Sequence, residues 1–302
     1  MTNIIVDGNN LLHRSISKTE KWLDYNNNKS RKINKEGLDV TSLQKFLFDL
    51  YYSTCDFHET ESRIYVVWDR KIDKTATNWR KDINPLYKAN RDSIEDSPQK
   101  QQVHLLCKHI KHILDVMGIY SVYPLSSEGD DIMFYLKNNL KGKSVLVSAD
   151  QDFYQCVSED CVVYNPQKRL TIDLDNFKEV TTVSIENFVR FKSIKGDPSD
   201  NLKGLYRYGE VKAKKLVENW EEESVKLDEE QLQILKDTEK LIDLSWKPLS
   251  PKEVKVIEKQ TEKVKEKAND WDLTKVFDKY SISHSARIEW DKYFDMKEFS
   301  FE

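Results

Sequence analysis

Short apolar runs recur through the first half of the chain, separated by stretches with helical spacing. The runs are residues 4–6 in "IIVDGNN", 63–69 ("RIYVVWD"), 118–123 ("GIYSVY"), 144–150 ("SVLVSAD") and 161–164 ("CVVY"). Brief, nearly continuous hydrophobic runs suit strands covered on both faces, as in a parallel sheet. Between them, Val103, Leu106, Cys107, Ile110, Ile113, Leu114 and Met117 fall at i, i+3, i+4, i+7 spacing, with Gly118 as a stop. "DDIMFYLKNNLKG" repeats that pattern up to Gly142. Strands alternating with helices predict an α/β fold with a doubly wound, mostly parallel sheet.

Several of these strands run into a carboxylate. The first ends at Asp7, the second at Asp69 and the fourth at Asp150, with Asp152 two residues on; "SSEGDDIMF" places Glu128, Asp130 and Asp131 at a helix start just after the third. "KGDPSDN" adds Asp197 and Asp200, three apart, with Pro198 suited to a first helical turn. Taken singly these acids are ordinary turn, cap or helix-dipole residues. Taken together they converge, because the carboxyl ends of parallel strands in an open sheet face one crevice. Two carboxylates ~4 Å apart repel by about 4 kcal/mol at an effective dielectric near 20, so such a cluster calls for divalent metal. Oxygen donors without His or Cys suit Mg²⁺ or Mn²⁺ over Zn²⁺. The number of acids suggests two ions, an arrangement that serves phosphodiester hydrolysis. A haloacid-type phosphatase needs a second aspartate two residues after the first; Asn9 stands there.

At 302 residues the chain is long enough for two domains or one with a large appendage, and 38% hydrophobic against 33% charged residues fits a soluble protein. No apolar run approaches a membrane span, and no secretory leader is expected. Four cysteines without a C-x-x-C pair read as reduced thiols of a cytosolic protein, mostly in the core. His104, His109 and His112 share a helix with Cys107, but Cys107 lies on its apolar face, which disfavours a zinc site and leaves solvent-facing histidines. Residues 221–302 carry 15 Lys+Arg against 21 Asp+Glu, and the first 220 carry 33 against 31, so outside the acidic motifs the first part is basic and suits a polyanion. Residues 70–98, basic with Trp79 and Tyr87 interleaved, read as a mobile, partly helical excursion; residues 221–224 ("EEES") read as a linker and 251–272 as a charged, solvated helix.

The stretches "VDGNN", "VVWD", "YKANR", "EGDD", "SADQD" and "GDPSDN" together resemble the 5′-nuclease family of flap endonucleases and 5′→3′ exonucleases, over roughly residues 1–220. "NWRKDINPLYKANR" and "LIDLSWKP" are most similar to its phage branch, the T-even phage ribonuclease H group. The resemblance implies a PIN-like nuclease core at 1–183 with a helical arch at 70–98, a helix–three-turn–helix DNA-binding region at 184–220, and an acidic helical region at 221–302. It implies that Asp7, Asp69, Glu128, Asp130, Asp150 and Asp152 surround a first metal ion. Asp131, Asp197 and Asp200 then belong to a second, with Asp130, Asp150 and Asp152 open to sharing. Asp150 and Asp152, with Lys88 and Arg91 on the arch, are the catalytic set implied. Tyr87 is assigned to base stacking, and Arg14 and Arg80 to nucleic-acid contact. Lys203, Arg207, Lys212, Lys214 and Lys215 supply charge for the duplex backbone. One departure stands out: Gly204 and Gly209 are kept, but Arg207 stands where a hairpin glycine is common and Glu210-Val211 where Pro-Lys is. Duplex binding is then expected to rest on lysines more than on a tight, potassium-binding hairpin.

The implied activity is Mg²⁺-dependent, structure-specific 5′ nuclease action, with two ions and Mn²⁺ as substitute. The implied substrates are DNA with a 5′ flap, nick or end and RNA–DNA hybrids such as primers in replication. The resemblance further implies a monomer in the cytoplasm of a bacterial host and a single-strand-binding protein as partner. Two other readings use the same features: a non-catalytic duplex-binding protein on this fold, and a PIN-like ribonuclease, which would lack the arch and the helix–turn–helix.

Overall fold

β1 (Thr2–Asp7) lies in the middle of the sheet because both of its faces are apolar. Ile4 and Val6 enter one buried cluster and Ile5 the other, as side-chain alternation along a strand requires. The computed structural model describes residues 1–25, 31–59, 61–69, 71–73, 75–90, 98–262, 270–282 and 290. β2 (Arg63–Val67), β3 (Tyr120–Val122), β4 (Lys143–Val147), β5 (Cys161–Asn165) and β6 (Leu170–Ile172) complete a sheet of order β3-β2-β1-β4-β5-β6. All pairings are parallel except β5 with β6. The antiparallel β6, three residues long, is too short to register as an apolar run.

Helices cover both faces, as expected of a doubly wound fold. On the Ile4 side pack α1 (Gly8–Tyr25), α2 (Val40–Thr54) and, beyond the short α3 (Trp79–Ile83), α4 (Pro98–Val116). On the Ile5 side lie α5 (Gly129–Asn139), α6 (Phe177–Thr181), α7 (Ile185–Lys195), α8 (Glu210–Glu218) and, after α9 (Trp220–Glu223), α10 (Glu229–Ile242) and α11 (Pro251–Thr261). α12 (Asp270–Lys279) returns to the first face, where Val276, Phe277, Tyr280 and Trp290 join the cluster around Phe46 and Trp68. Gly118 (φ 73°) makes the left-handed turn just after α4, whereas Gly142 (φ 97°) turns the chain into β4, where a Cβ would lie 2.2 Å from the Met1 carbonyl oxygen. His109 packs against Tyr280, its Nδ1 3.1 Å from the hydroxyl, while His104 and His112 are exposed.

Three expectations change. Residues 79–90 are anchored at two points: Tyr87 and Arg80 are buried, and Tyr87 shares a cluster with Leu202, Leu241 and Ile242. Residues 91–97 of the expected arch lie outside the described residues. The "EEES" stretch is a helical turn, α9 followed by a 3₁₀ turn at Ser224–Lys226, rather than an open linker. α11 is docked, with Ile257 fully buried and the helix covering the free edge of β3.

Glu253 explains that docking. It is 1% exposed, and its carboxylate accepts hydrogen bonds from the backbone N–H groups of Leu125, Ser126 and Ser127 and from the Ser126 hydroxyl. Glu253→Ala leaves those donors buried without an acceptor, so it is expected to cost about 3 kcal/mol. A urea titration checks this; an unchanged midpoint would show that water replaces the carboxylate.

Candidate active site

Four carboxylates meet where the strand order reverses, between β1 and its neighbours. Asp7 ends β1, Asp69 follows β2, Asp150 follows β4, and Asp130 stands in the first turn of α5. The Asp7 carboxyl is pushed up to about 7 by burial and by the charges of Asp69 and Asp150. Asp130 is raised well above the carboxylate range by burial and by Asp69, Asp150 and Asp7, although Lys88 works against this.

The "DGNN" turn builds this geometry. Asp7 Oδ1 accepts the Asn10 N–H at 2.9 Å and Oδ2 the Ser148 hydroxyl at 2.9 Å. Asn9 Oδ1 accepts the Asp69 N–H, and Asn10 Oδ1 the Ala149 N–H, each at 3.3 Å. The two asparagines tie the end of β1 to the ends of both neighbouring strands. Glycine is required between them and Asp7, since a Cβ on Gly8 would lie 2.8 Å from the Val67 carbonyl oxygen. Asp69 Oδ1 in turn accepts the Gly129 N–H at 2.8 Å.

Internal cations flank the centre. Glu128 caps α5, and its carboxylate accepts from Asn78 at 2.6 Å, Lys88 at 2.8 Å and the Tyr87 hydroxyl at 3.1 Å. Burial opposes its ionisation, but Lys88 and Arg80 hold it down at about 2. Asp200 accepts the same Tyr87 hydroxyl at 3.1 Å and lies 3.8 Å from Lys88. On the other flank Lys192 bridges Asp152 and Asp197, the latter at 3.0 Å. Burial pushes Asp152 up to about 6 despite Lys192, while Lys192 keeps Asp197 at about 2 against burial. Asp150 Oδ1 accepts the Asp152 N–H at 2.9 Å and starts the 3₁₀ turn Gln151–Cys156.

Several sequence assignments are corrected by this arrangement. Arg80 is 2% exposed and forms a bidentate pair with Asp131 (2.6 and 3.0 Å), so it is not available to nucleic acid. Asp131, filled by Arg80 and by the Glu128 N–H, faces that pair rather than the crevice. Tyr87 is 2% exposed with its hydroxyl on two carboxylates, so it is not placed to stack on a base. Lys88 is in the site, in a left-handed conformation (φ 55°); Arg91 lies outside the described residues. Arg14, on the α1 turn after Asn10, has buried Nε and Nη1 with no acceptor. Lys192 was not legible as a site residue. Its signal is a lysine at i+4 from Phe188 and i+1 from Phe191, on the buried stripe of α7.

The helix–turn–helix lies beside this flank. α7 ends at Gly196 (φ 81°), whose backbone presses on that of Gly204 (φ 62°): a Cβ on Gly204 would lie 2.4 Å from the Gly196 nitrogen. Arg207 takes φ 63°, a glycine-like turn in a side chain that bears charge. Lys203, Arg207 and Lys212 are exposed and form no ion pair among the described residues, Arg207 lying 5.0 Å above the Tyr206 ring, whereas Lys214 and Lys215 pair with Glu218 and Glu223.

The donors fit a hard divalent cation. All are carboxylate oxygens, and Asp7 and Asp130 are raised first by burial and then by neighbouring carboxylates, a cost that a cation bound among them would relieve. Among the described residues no three of these groups already converge on one ligating point; Lys88 and Lys192 occupy the spaces beside Glu128 and Asp200 and between Asp152 and Asp197.

Two outcomes follow. A Cβ on Gly129 would stand 2.6 Å from Asp69 Oδ1, so Gly129→Ala is expected to weaken Mg²⁺ binding roughly 10- to 100-fold by calorimetry; unchanged affinity would remove Asp69 from the ligands. The second concerns pH. Asp7 rises from 3.8 to about 7 on folding, so its ionised form is the one the fold disfavours. Stability from this group is present below about pH 4 and lost as pH rises towards 7. Glu128 and Asp197, held at about 2, act in the opposite sense and only at lower pH. In EDTA the Tm should therefore fall between about pH 5 and pH 8, and Mg²⁺ should raise it more at the higher pH. An equal Mg²⁺ effect at both would show that the cation does not relieve this repulsion.

Residues 2–182 match the family model for the 5′-3′ exonuclease N-terminal resolvase-like domain. The chain is 27% identical over 220 residues to a 5′-3′ exonuclease of Mycoplasmopsis pulmonis, covering 72% of this chain and 66% of that one. It is 33% identical over 161 residues to thermostable DNA polymerase I of Thermus thermophilus, covering 52% and 18%. It thus spans less than two thirds of the length of either relative. The fold is that of a bacteriophage T5 D15 flap endonuclease variant, solved as a pseudo-enzyme–product complex with DNA and metal ions. The TM-score is 0.59 at 18% identity, over 93% of this chain and 100% of that one. With Asp7, Asp69, Asp130 and Asp150 gathered at one crevice inside the matched residues, the chain belongs to the 5′-3′ exonuclease N-terminal resolvase-like domain family.

Proposed function

We propose that the chain is a divalent-metal-dependent, structure-specific 5′ nuclease that hydrolyses phosphodiesters of DNA near a 5′ end, nick or flap. The observation that carries this reading is the meeting of Asp7, Asp69, Asp130 and Asp150 at the switch point of the sheet, with the proton affinities of Asp7 and Asp130 raised by burial and by neighbouring carboxylates. These four would hold one ion. Asp152, Asp197 and Asp200 would serve a second, and Glu128, tied to Lys88, lies at the edge of the first. Mg²⁺, with Mn²⁺ as substitute, fits the all-oxygen donor set. When bound, the ions would supply a water acidic enough to attack phosphorus near neutral pH and would offset charge in the transition state.

The chain's own groups bind and orient the strand. Burial disfavours the charged form of Lys88, but Asp130 and Glu128 outweigh it and keep the ammonium protonated; it would donate to a phosphate oxygen rather than transfer a proton. Arg91, three residues on, is assigned the same task. Arg14 would contact phosphate through donors that lack an acceptor. Asp131 orients the start of α5 through Arg80, which also reaches the Leu241 carbonyl. Lys203, Arg207 and Lys212, with Lys214 and Lys215 behind them, would follow the duplex backbone, reading charge rather than sequence. By family likeness the same reading extends to RNA–DNA hybrids, to a single-strand-binding protein as partner, to a monomer and to the cytoplasm of a bacterial host.

The test is cleavage of a 5′-labelled flap duplex in Mg²⁺ and in EDTA, with wild type and the Asp150→Asn, Asp152→Asn double variant. Metal-dependent release of label, reduced at least roughly 100-fold in the variant while duplex binding persists, is expected. Binding without cleavage in any divalent metal would make the chain a non-catalytic duplex binder. Cutting of single-stranded RNA that ignores DNA ends would make it a PIN-like ribonuclease.

A further inference from the structure

One basic surface has no part in the carboxylate centre. Between the segment after β2, α4, the end of β3 and α11 lies a groove of about 610 Å³, and none of the crevice carboxylates lines it. Lys71, Lys108, Lys111 and Lys259 stand around it. Among the described residues none of the four forms an ion pair; Lys111 instead sits 5.1 Å from the centre of the Tyr123 ring. The acids nearest in sequence are engaged elsewhere. Asp73 accepts from the N–H and the hydroxyl of Thr75. Glu253 accepts from the turn at Leu125, Ser126 and Ser127, and the Glu258 charge acts on Tyr135, which does not line the groove. Four ammonium groups gathered without counter-charge repel one another, so this surface gains from an anionic partner.

The rest of the lining decides which kind of anion fits. It is largely apolar: Ile72 is 56% exposed, and Val256 and Cys107 line the groove with it. A single strand of nucleic acid fills such a surface by stacking its bases on aromatic rings. The ring among the described lining residues, Tyr123, already stacks on Trp68 with centroids 6.2 Å apart and carries Lys111. A polypeptide brings both chemistries in one chain, carboxylates for the lysines and aliphatic side chains for the apolar lining. Addition of a strand is closed to it at Tyr123. Gln260 holds the Tyr123 backbone by both its N–H and its carbonyl, each at 2.9 Å. Ile72 and Asp73 donate their N–H groups to the Pro124 and Leu125 carbonyls, both at 2.8 Å. A guest is therefore held by its side chains.

We infer that the groove docks a short acidic segment of a partner protein, one in which aspartate or glutamate alternates with aliphatic residues. In an extended segment that alternation sends carboxylates to one side and apolar groups to the other, which matches a lysine rim over an apolar floor. The inference goes beyond the nuclease reading and does not depend on it, since no residue of the carboxylate centre takes part.

The experiment measures binding to the full chain in EDTA, so that no divalent cation bridges carboxylates to the protein. The probe is a fluorescein-labelled peptide of about ten residues alternating aspartate with leucine. One control peptide carries asparagine for aspartate, the other serine for leucine. Wild type is compared with the Lys108→Glu, Lys111→Glu, Lys259→Glu variant and with the corresponding triple Lys→Arg variant. The glutamate variant should bind the probe at least roughly tenfold more weakly than wild type, and the arginine variant within about twofold of it. Each control peptide should bind wild type at least roughly fivefold more weakly than the probe. Affinity for oligothymidine and cleavage of the flap duplex in Mg²⁺ should stay within about threefold of wild type in the glutamate variant. No measurable binding of the probe by wild type would overturn the inference. So would a serine control that binds as well as the probe, which would mark bare charge attraction. Loss of oligothymidine binding as large as that of the peptide, or loss of flap cleavage, would assign the lysines to nucleic acid and overturn it. Self-association of wild type that the variant abolishes, without peptide binding, would assign the groove to a second copy and overturn it as well. If neither protein cuts the flap duplex while the peptide behaves as expected, the nuclease reading fails and the docking site stands.

Discussion

The molecule is organised around like charges that it forces together. Asp7, Asp69, Asp130 and Asp150 stand within one another's fields at the end of a rigid sheet. The fold tolerates this by surrounding them with fixed donors. Backbone N–H groups from Asn10 and Gly129 and the Ser148 hydroxyl meet Asp7 and Asp69, while Lys88 and Lys192 meet the flanking Glu128 and Asp197. Such an arrangement lowers what remains to be spent when a doubly charged ligand arrives, because the carboxylates are already gathered and held on their protein side. The apolar layers on both faces of β1 serve that end: they fix strand ends to within the tolerance of a hydrogen bond.

The flanks follow a common design in which a cation lies between two acids from distant parts of the chain. Lys88 joins Glu128 of α5 to Asp200 of the turn after α7. Lys192 joins Asp152 after β4 to Asp197 in that same turn. Arg80 joins α3, α5 and the end of α10. The turn after α7 is thereby tied to the carboxylate flanks through side chains.

Much of this was legible in the sequence, for definite reasons. Parallel strands buried on both faces leave unmixed apolar runs, so β1 to β5 announced themselves, and the acids beyond them followed from sheet topology. What escaped was information carried by pairing. Nothing in "NWRKD" says that Arg80 turns inward, because its partner Asp131 lies 51 residues away; a lone arginine in a basic stretch reads as surface. Tyr87 was read outward for the same reason, though its neighbours are Leu202 and Leu241. Lys192 interrupts an apolar stripe, a pattern that local propensity treats as noise and long-range charge explains. The hairpin glycine missing at Arg207 suggested a lost turn, but φ of 63° shows that an arginine can occupy it.

The edge of β3 has a consequence for how copies of the chain behave in company. An edge strand offers unpaired N–H and carbonyl groups to any extended segment nearby. Here the Gln260 amide takes both groups of Tyr123, and α11 lies across the strand. A glutamine imitating a neighbouring backbone satisfies the chain at the end of this edge strand without adding a seventh strand. The same amide leaves no Tyr123 backbone group at this edge for an extended segment of another copy to pair with.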